Sequence, residues 1–298
     1  MKNGVNTDLG KFRTVLEMIK FEHTIFALPF AYMGMMLAAN GLPTLSQFLW
    51  ITVAMVGARS FSMAMNRYID REIDARNPRT QDRAIPAGKL TPTYVMGFAV
   101  VSLIVFFVAT YQLAPLARIA WPAVVLPLVI YSYTKRFTWL NHVVLGISLG
   151  LAPIGAWIAI TNGLSWPVVV LGAAVMLWTA GFDIIYACQD IDVDRRDRLF
   201  SIPAVFGVKQ ALLVTRSFHV LTVILLFTVG IAFKLGAVYY FGVMLTALLL
   251  AYENRLVKPD DFSKVNMAFF TMNGIISLQI FAFTGLDFAA RYLLKGLA

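Results

Sequence analysis

The chain has 298 residues, of which 59% are hydrophobic and 14% charged. Several apolar runs approach the length needed to cross about 30 Å of hydrocarbon at about 1.5 Å rise per residue, which excludes an ordinary soluble domain. The net charge of +9 would suggest a nucleic-acid partner in a soluble protein, but here membrane topology accounts for it. A single cysteine, Cys188, excludes an internal disulfide, and His23, His142 and His219 are too scattered for metal-ligand spacing, so they are read as packing or interface contacts.

The first twenty residues are polar and mixed in charge, a pattern that predicts no secretory signal. Leu9, Phe12, Leu16 and Ile19 recur at helical spacing with Lys11, Arg13 and Lys20 between them, which suits a short amphipathic helix on the membrane surface and equally an ordinary polar terminus. Nine apolar spans follow, at 24–41, 46–66, 93–113, 119–134, 142–162, 166–189, 211–233, 236–252 and 265–287. With the N-terminus in the cytoplasm, only Arg118, Lys234, Arg291 and Lys295 fall on the opposite face, as the positive-inside rule requires. The expectation is an all-α polytopic protein of the cytoplasmic (inner) membrane, one domain over 1–298, with nine transmembrane helices and cap loops on the cytoplasmic side.

Span two ends in "NRYIDREIDARNPRTQDRAIPAG" (66–88), and span six ends in "YACQDIDVDRRDRLFSIPAVFG" (186–207). Shared acid spacing and a trailing Ile-Pro-Ala predict two weakly repeated halves that face one another. Asn66, Asp70 and Asp74 stand at i, i+4 and i+8, so they drift only about 80° around a helix. Asp190 and Asp194 repeat the spacing, with Asp197 one further turn along and Asp192 pointing elsewhere. A single acidic pair at an interface is as readily a solvated helix end, but two such stripes on paired helices repel their own charge unless a cation neutralises it. Carboxylate and amide oxygens select hard cations, and Mg²⁺ is usually held by a few carboxylates together with substrate phosphate oxygens. Arg67, Arg71, Arg76, Arg79, Arg83 and Lys89 follow the first motif, while Arg195, Arg196 and Arg198 follow the second. Arginine suits phosphate oxygens, although topology accounts for many of these charges, Arg67, Arg71 and Arg76 among them.

Arg59 and Asp183 each lie seven residues before a motif, two turns deeper on the same face. Ionisable groups at that depth point to function, as the floor of a cavity holding an acceptor, or else to a buried Arg–Asp pair. "YSYTKRFTWLNH" (131–142) closes span four, where Tyr131 and Lys135 are i, i+4 neighbours able to reach one ligand.

Together with "KFEHTIFALPFAYMG" (20–34) and "LGLAPIGAWIAI" (149–160), these motifs resemble the UbiA superfamily of intramembrane aromatic prenyltransferases, nearest its 4-hydroxybenzoate polyprenyltransferase branch. The resemblance covers about the first two thirds of the chain. It implies nine helices around a central cavity, Mg²⁺, an isoprenyl diphosphate and a small aromatic acceptor. Carried over by position, it implies that Asn66, Asp70, Asp74, Asp190 and Asp194 form the metal and diphosphate set. Arg79, Lys135 and Lys20 become diphosphate contacts, Tyr131 sits by the diphosphate or allylic carbon, and Arg59 and Asp183 lie at the acceptor end. A naphthoate or futalosine-type acceptor fits the same motifs. A CDP-alcohol phosphotransferase would need a compact DG…AR…GxxxDxxxD string that does not occur here. A cation-coupled transporter would place its acids nearer the midplane.

Overall fold

The computed structural model describes residues 8–19 and 24–296. Its long helices run α2 (Thr24–Ala39), α3 (Leu45–Ile69), α5 (Pro92–Tyr111), α6 (Pro115–Thr134), α7 (Asn141–Thr161), α8 (Trp166–Ala187), α11 (Val208–Ala232), α12 (Ala237–Leu256) and α13 (Asn273–Gly296). Eight helices among the described residues are long and apolar enough to cross a membrane, and α2 supplies a shorter apolar one. Each agrees with an expected span to within a few residues, apart from the last, which starts later. There a π-helical turn, Met267–Met272, precedes α13. Local chemistry explains the starts: Thr44 and Gln47 form a reciprocal cap on α3, Thr91 caps α5, and Pro92 and Pro115 occupy first-turn positions where no amide hydrogen is needed.

Neighbours in sequence are mostly neighbours in space. Helices α3, α5, α6, α7, α8, α11, α12 and α13 pack in succession, and α2 closes the bundle by packing on α7 and α13. The α7–α8 approach depends on glycine: a Cβ on Gly146 or Gly150 would overlap the carbonyl oxygens of Met176 or Gly172. That close approach sets the start of α7 beside the end of α8.

Three short helices form the motif loops: α4 (Arg71–Arg76), α9 (Ile191–Arg196) and α10 (Ile202–Phe206). The amphipathic segment forms α1 (Asp8–Met18), and part of it packs on protein. Val15, Met18 and Ile19 pack against Phe61, Ala64, Leu90 and Val95, whereas Leu16 is exposed. The helix docks on the ends of α3 and α5, so its inward face is the one that meets protein.

Candidate active site

Both acidic motifs open onto one chamber of about 710 Å³. Among the residues expected to form a site, Arg59, Asn66, Asp70, Asp74, Arg79, Tyr131, Lys135, Asp183, Asp190 and Asp194 all line it. Lys20 lies outside the described residues.

The first acid stripe survives a break in its helix. Asp70 ends α3 and precedes α4, with the Asp70 amide donating to the Asn66 carbonyl (2.9 Å) and the Asp74 amide to the Asp70 carbonyl (2.8 Å). The i, i+4 register therefore continues and points all three side chains into the chamber. Asp70 is 2% exposed, and its Oδ2 accepts from Lys135 Nζ (2.8 Å) and Asn66 Nδ2 (2.9 Å), while Arg136 approaches Oδ1 at 3.2 Å. Asp74 pairs with Arg83 at 2.7 Å, and its other oxygen, Oδ2, is buried without a hydrogen-bond partner.

Across the chamber, Asp190 accepts from Arg79 Nε (2.9 Å) and Asn77 Nδ2 (3.0 Å), both from the first motif's loop. Arg79 also donates to the Tyr186 hydroxyl (3.0 Å) and lies over that ring at 4.9 Å. Burial works against the Arg79 charge, but the bond to Asp190 and that carboxylate's charge outweigh it and hold the guanidinium pKa above its ordinary value. Asp194 accepts from Ser201 Oγ at 2.8 Å.

Three findings depart from expectation. Asp197 does not continue the second stripe into the chamber. It turns away from the chamber, where Arg76 (3.0 Å) and Arg196 (2.9 Å) bind it, although its amide still donates to the Val193 carbonyl (2.9 Å). Arg67 is more than a topology charge: it is 8% exposed, lines the chamber, and donates to Asn66 Oδ1 (3.0 Å) and the Met18 carbonyl (3.4 Å). His142 is more than packing: its Nδ1 lies 2.7 Å from Asp183 Oδ2, and its Nε2 accepts from the Ile202 amide at 3.3 Å. His142 thus ties the chamber floor to the second motif's loop. By contrast, His219 is buried in the bundle beside Asn254 (2.7 Å), as a packing role predicts, and His23 lies outside the described residues.

A second, apolar cavity of about 250 Å³ shares Arg59, Met63, Tyr131, Leu145 and Leu149 with the chamber and continues between α3, α5, α6 and α7. Small side chains such as Ala54, Ala58, Ala120 and Ala152 keep it open. On the other side of the chamber stand Phe26, Phe182, Tyr186 and Phe269, with Tyr186 and Phe269 4.2 Å apart.

Among the described residues no three acidic, His or Cys side chains converge on a single metal position. The donors are nevertheless all hard oxygens, with Asp74 Oδ2 left over. Such a set suits a cation that takes a few carboxylates and completes its shell from phosphate. A polar chamber that faces acids and bases across one opening and continues into an apolar cavity suits a ligand with a polyanionic head and an apolar tail.

The comparisons with known proteins agree with that reading of the chamber. The model of the UbiA prenyltransferase family matches residues 27–275, so the chain belongs to that family and is a prenyltransferase. A "4-hydroxybenzoate octaprenyltransferase" of Aeromonas salmonicida is 32% identical over 238 residues, 80% of this chain and 82% of that protein. The apo structure of a UbiA homolog from Aeropyrum pernix superimposes with a TM-score of 0.81 at 33% identity, covering 89% of this chain and 98% of that one. A UbiA homolog from Archaeoglobus fulgidus, solved bound to DMAPP and Mg²⁺, shares the fold with a TM-score of 0.73 at 17% identity, covering 93% and 99%.

Proposed function

We propose that the chain transfers a polyprenyl group from an isoprenyl diphosphate to the ring of 4-hydroxybenzoate, with Mg²⁺, in ubiquinone-type quinone synthesis. The observation that carries the reading is the pairing of three chamber acids, Asp70, Asp74 and Asp190, with Lys135, Arg83 and Arg79 around one opening. A diphosphate with its cation divides naturally between these partners, its oxygens going to the bases and its cation to the acids. Asp70, Asp74, Asp190 and Asp194, helped by Asn66, would hold Mg²⁺, which supplies charge neutralisation to the leaving diphosphate.

The rest of the chemistry belongs to the side chains. Lys135, Arg79 and Arg83 hold the diphosphate oxygens and stabilise the charge that grows there as the allylic C–O bond breaks. Tyr131 lies where the chamber meets the apolar cavity, so its ring sits beside the carbon that becomes cationic. The apolar cavity excludes water from that carbon and takes part of the isoprenyl tail. Arg59 at the floor pairs with the acceptor's carboxylate, and Asp183, oriented by His142, accepts from its hydroxyl. The ring then attacks ortho to that hydroxyl and loses a proton. The motif face is assigned to the cytoplasm of a cytoplasmic-membrane protein, the side to which the positive-inside rule gives most of the bases. Support for the acceptor comes from the similarity to 4-hydroxybenzoate octaprenyltransferases.

The test is a membrane assay with one labelled isoprenyl diphosphate and a panel of hydroxybenzoate and naphthoate acceptors. The expected product is a prenylated 4-hydroxybenzoate. Prenylation of a naphthoate alone would move the enzyme to menaquinone-type synthesis, and release of diphosphate with no prenylated ring in any lane would overturn both.

A further inference from the structure

Behind the chamber, on the outer side of α4 and α9, lies another polar cavity, of about 400 Å³. Arg71, Arg76, Arg136 and Arg198 line it against only two acids, Glu72 and Asp197. The acids have partners already: Arg71 reaches Glu72 at 3.2 Å, and Arg76 reaches Asp197 at 3.0 Å. Of the other two guanidinia, Arg136 is paired outside the cavity, with Asp70 at 3.2 Å, and Arg198 has no carboxylate partner among the described residues. Arg136 spends its donors on the carbonyls of Ser132 (2.6 Å) and Ile69 (2.9 Å) and on the back of Asp70. Arg198 makes no side-chain hydrogen bond or ion pair with any described residue, and its backbone sits at φ 54°, a left-handed conformation unusual for a long side chain.

We propose that this cavity binds a phosphate group, as a site distinct from the chamber. Guanidinium forks match phosphate oxygens in pairs, and the Arg198 fork is the one with no side-chain bond among the described residues; Arg71 and Arg136 add charge from fixed positions, Arg71 4.8 Å over Tyr68 and Arg136 5.3 Å over Tyr133. The cavity also stands at the bilayer surface. It adjoins the motif ends of α3 and α6, beside exposed Tyr133, Phe137, Trp139 and Phe200, the residue types that settle at the headgroup level. The shared chemistry is a phosphate anion, carried either by an anionic phospholipid headgroup or by free pyrophosphate. Arg136 links the two sites: it borders this cavity and contacts Asp70, so an anion bound here draws charge away from the rear of the chamber's first acid.

The test uses the full chain in phosphatidylcholine nanodiscs, as wild type, Arg71→Ser and Arg198→Gly. Glycine accepts φ 54° without strain, so the second variant removes the charge while favouring the fold. One arm titrates inorganic pyrophosphate without Mg²⁺, and the other exchanges phosphatidylglycerol into the disc. In one arm the wild type is expected to show a binding component that weakens about ten-fold in both variants and persists in Arg79→Ala. Loss in the lipid arm identifies the headgroup as the source, and loss in the pyrophosphate arm identifies the free anion. Equal binding of both probes by all forms would overturn the proposal. The readout is binding alone, so it stands or falls separately from the proposed reaction.

Discussion

In the first motif, Asp70 and Asp74 draw their partners from the first half of the chain: Lys135 and Arg136 after α6, and Arg83 in the motif's own loop. The second motif is held differently. Asp190 is gripped by Asn77 and Arg79, which belong to the first motif, and Asp194, among the described residues, by Ser201. The first motif is thus built in place, whereas the second is latched by contacts that cross the chamber. A loop that both carries an acid and supplies the clamp for the facing acid joins the two halves into one site.

The largest effect should follow removal of either end of this arrangement. Asp70→Ala or Asp190→Ala is expected to lower Mg²⁺-dependent prenyl transfer by about a thousand-fold, with the thermal melt of purified protein retained. Unchanged turnover in both would remove the chamber from the chemistry. Breaking the latch alone should cost less: Arg79→Ala is expected to raise the KM for isoprenyl diphosphate by about ten-fold to a hundred-fold, measured at saturating acceptor. If acceptor KM rises instead, Arg79 belongs to the floor. The smallest effect is expected at the outward-facing acid. Two guanidinia hold the Asp197 carboxyl below its usual range, with the bond from Arg196 contributing most and that from Arg76 next. Because the pair lies outside the chamber, Asp197→Asn should leave turnover within about two-fold. A collapse in turnover there would show that the second stripe does continue inward.

Much of this comparison was legible in the chain. The apolar spans announce themselves by length, and the acid stripes by four-residue spacing. Tyr131 and Lys135 are visible because they end a span beside those stripes. The contacts that distinguish the motifs were not legible, since they join distant residues: Arg79 and Asp190 are 111 positions apart, and His142 and Asp183 are 41. A lone histidine at the start of an apolar span gives no metal or triad spacing. Only the glycine-mediated contact of α7 with α8 shows that it meets an acid. Arg67 was hidden for a similar reason, because its burial depends on α1 docking over the end of α3. Asp197 was misplaced because spacing does not reveal that Arg76, 121 positions away, holds its carboxylate outside the chamber.

The central claim is that the two motifs act as one clamp on one diphosphate. It is tested most directly by Mg²⁺-dependent binding of a labelled isoprenyl diphosphate to wild type, Asp70→Ala, Asp190→Ala and the double variant. Residues that work as a unit are not additive, so each single variant should lose nearly the whole Mg²⁺-dependent affinity, and the double variant should lose no more. Independent, additive losses, or full Mg²⁺-dependent binding in either single variant, would contradict the account.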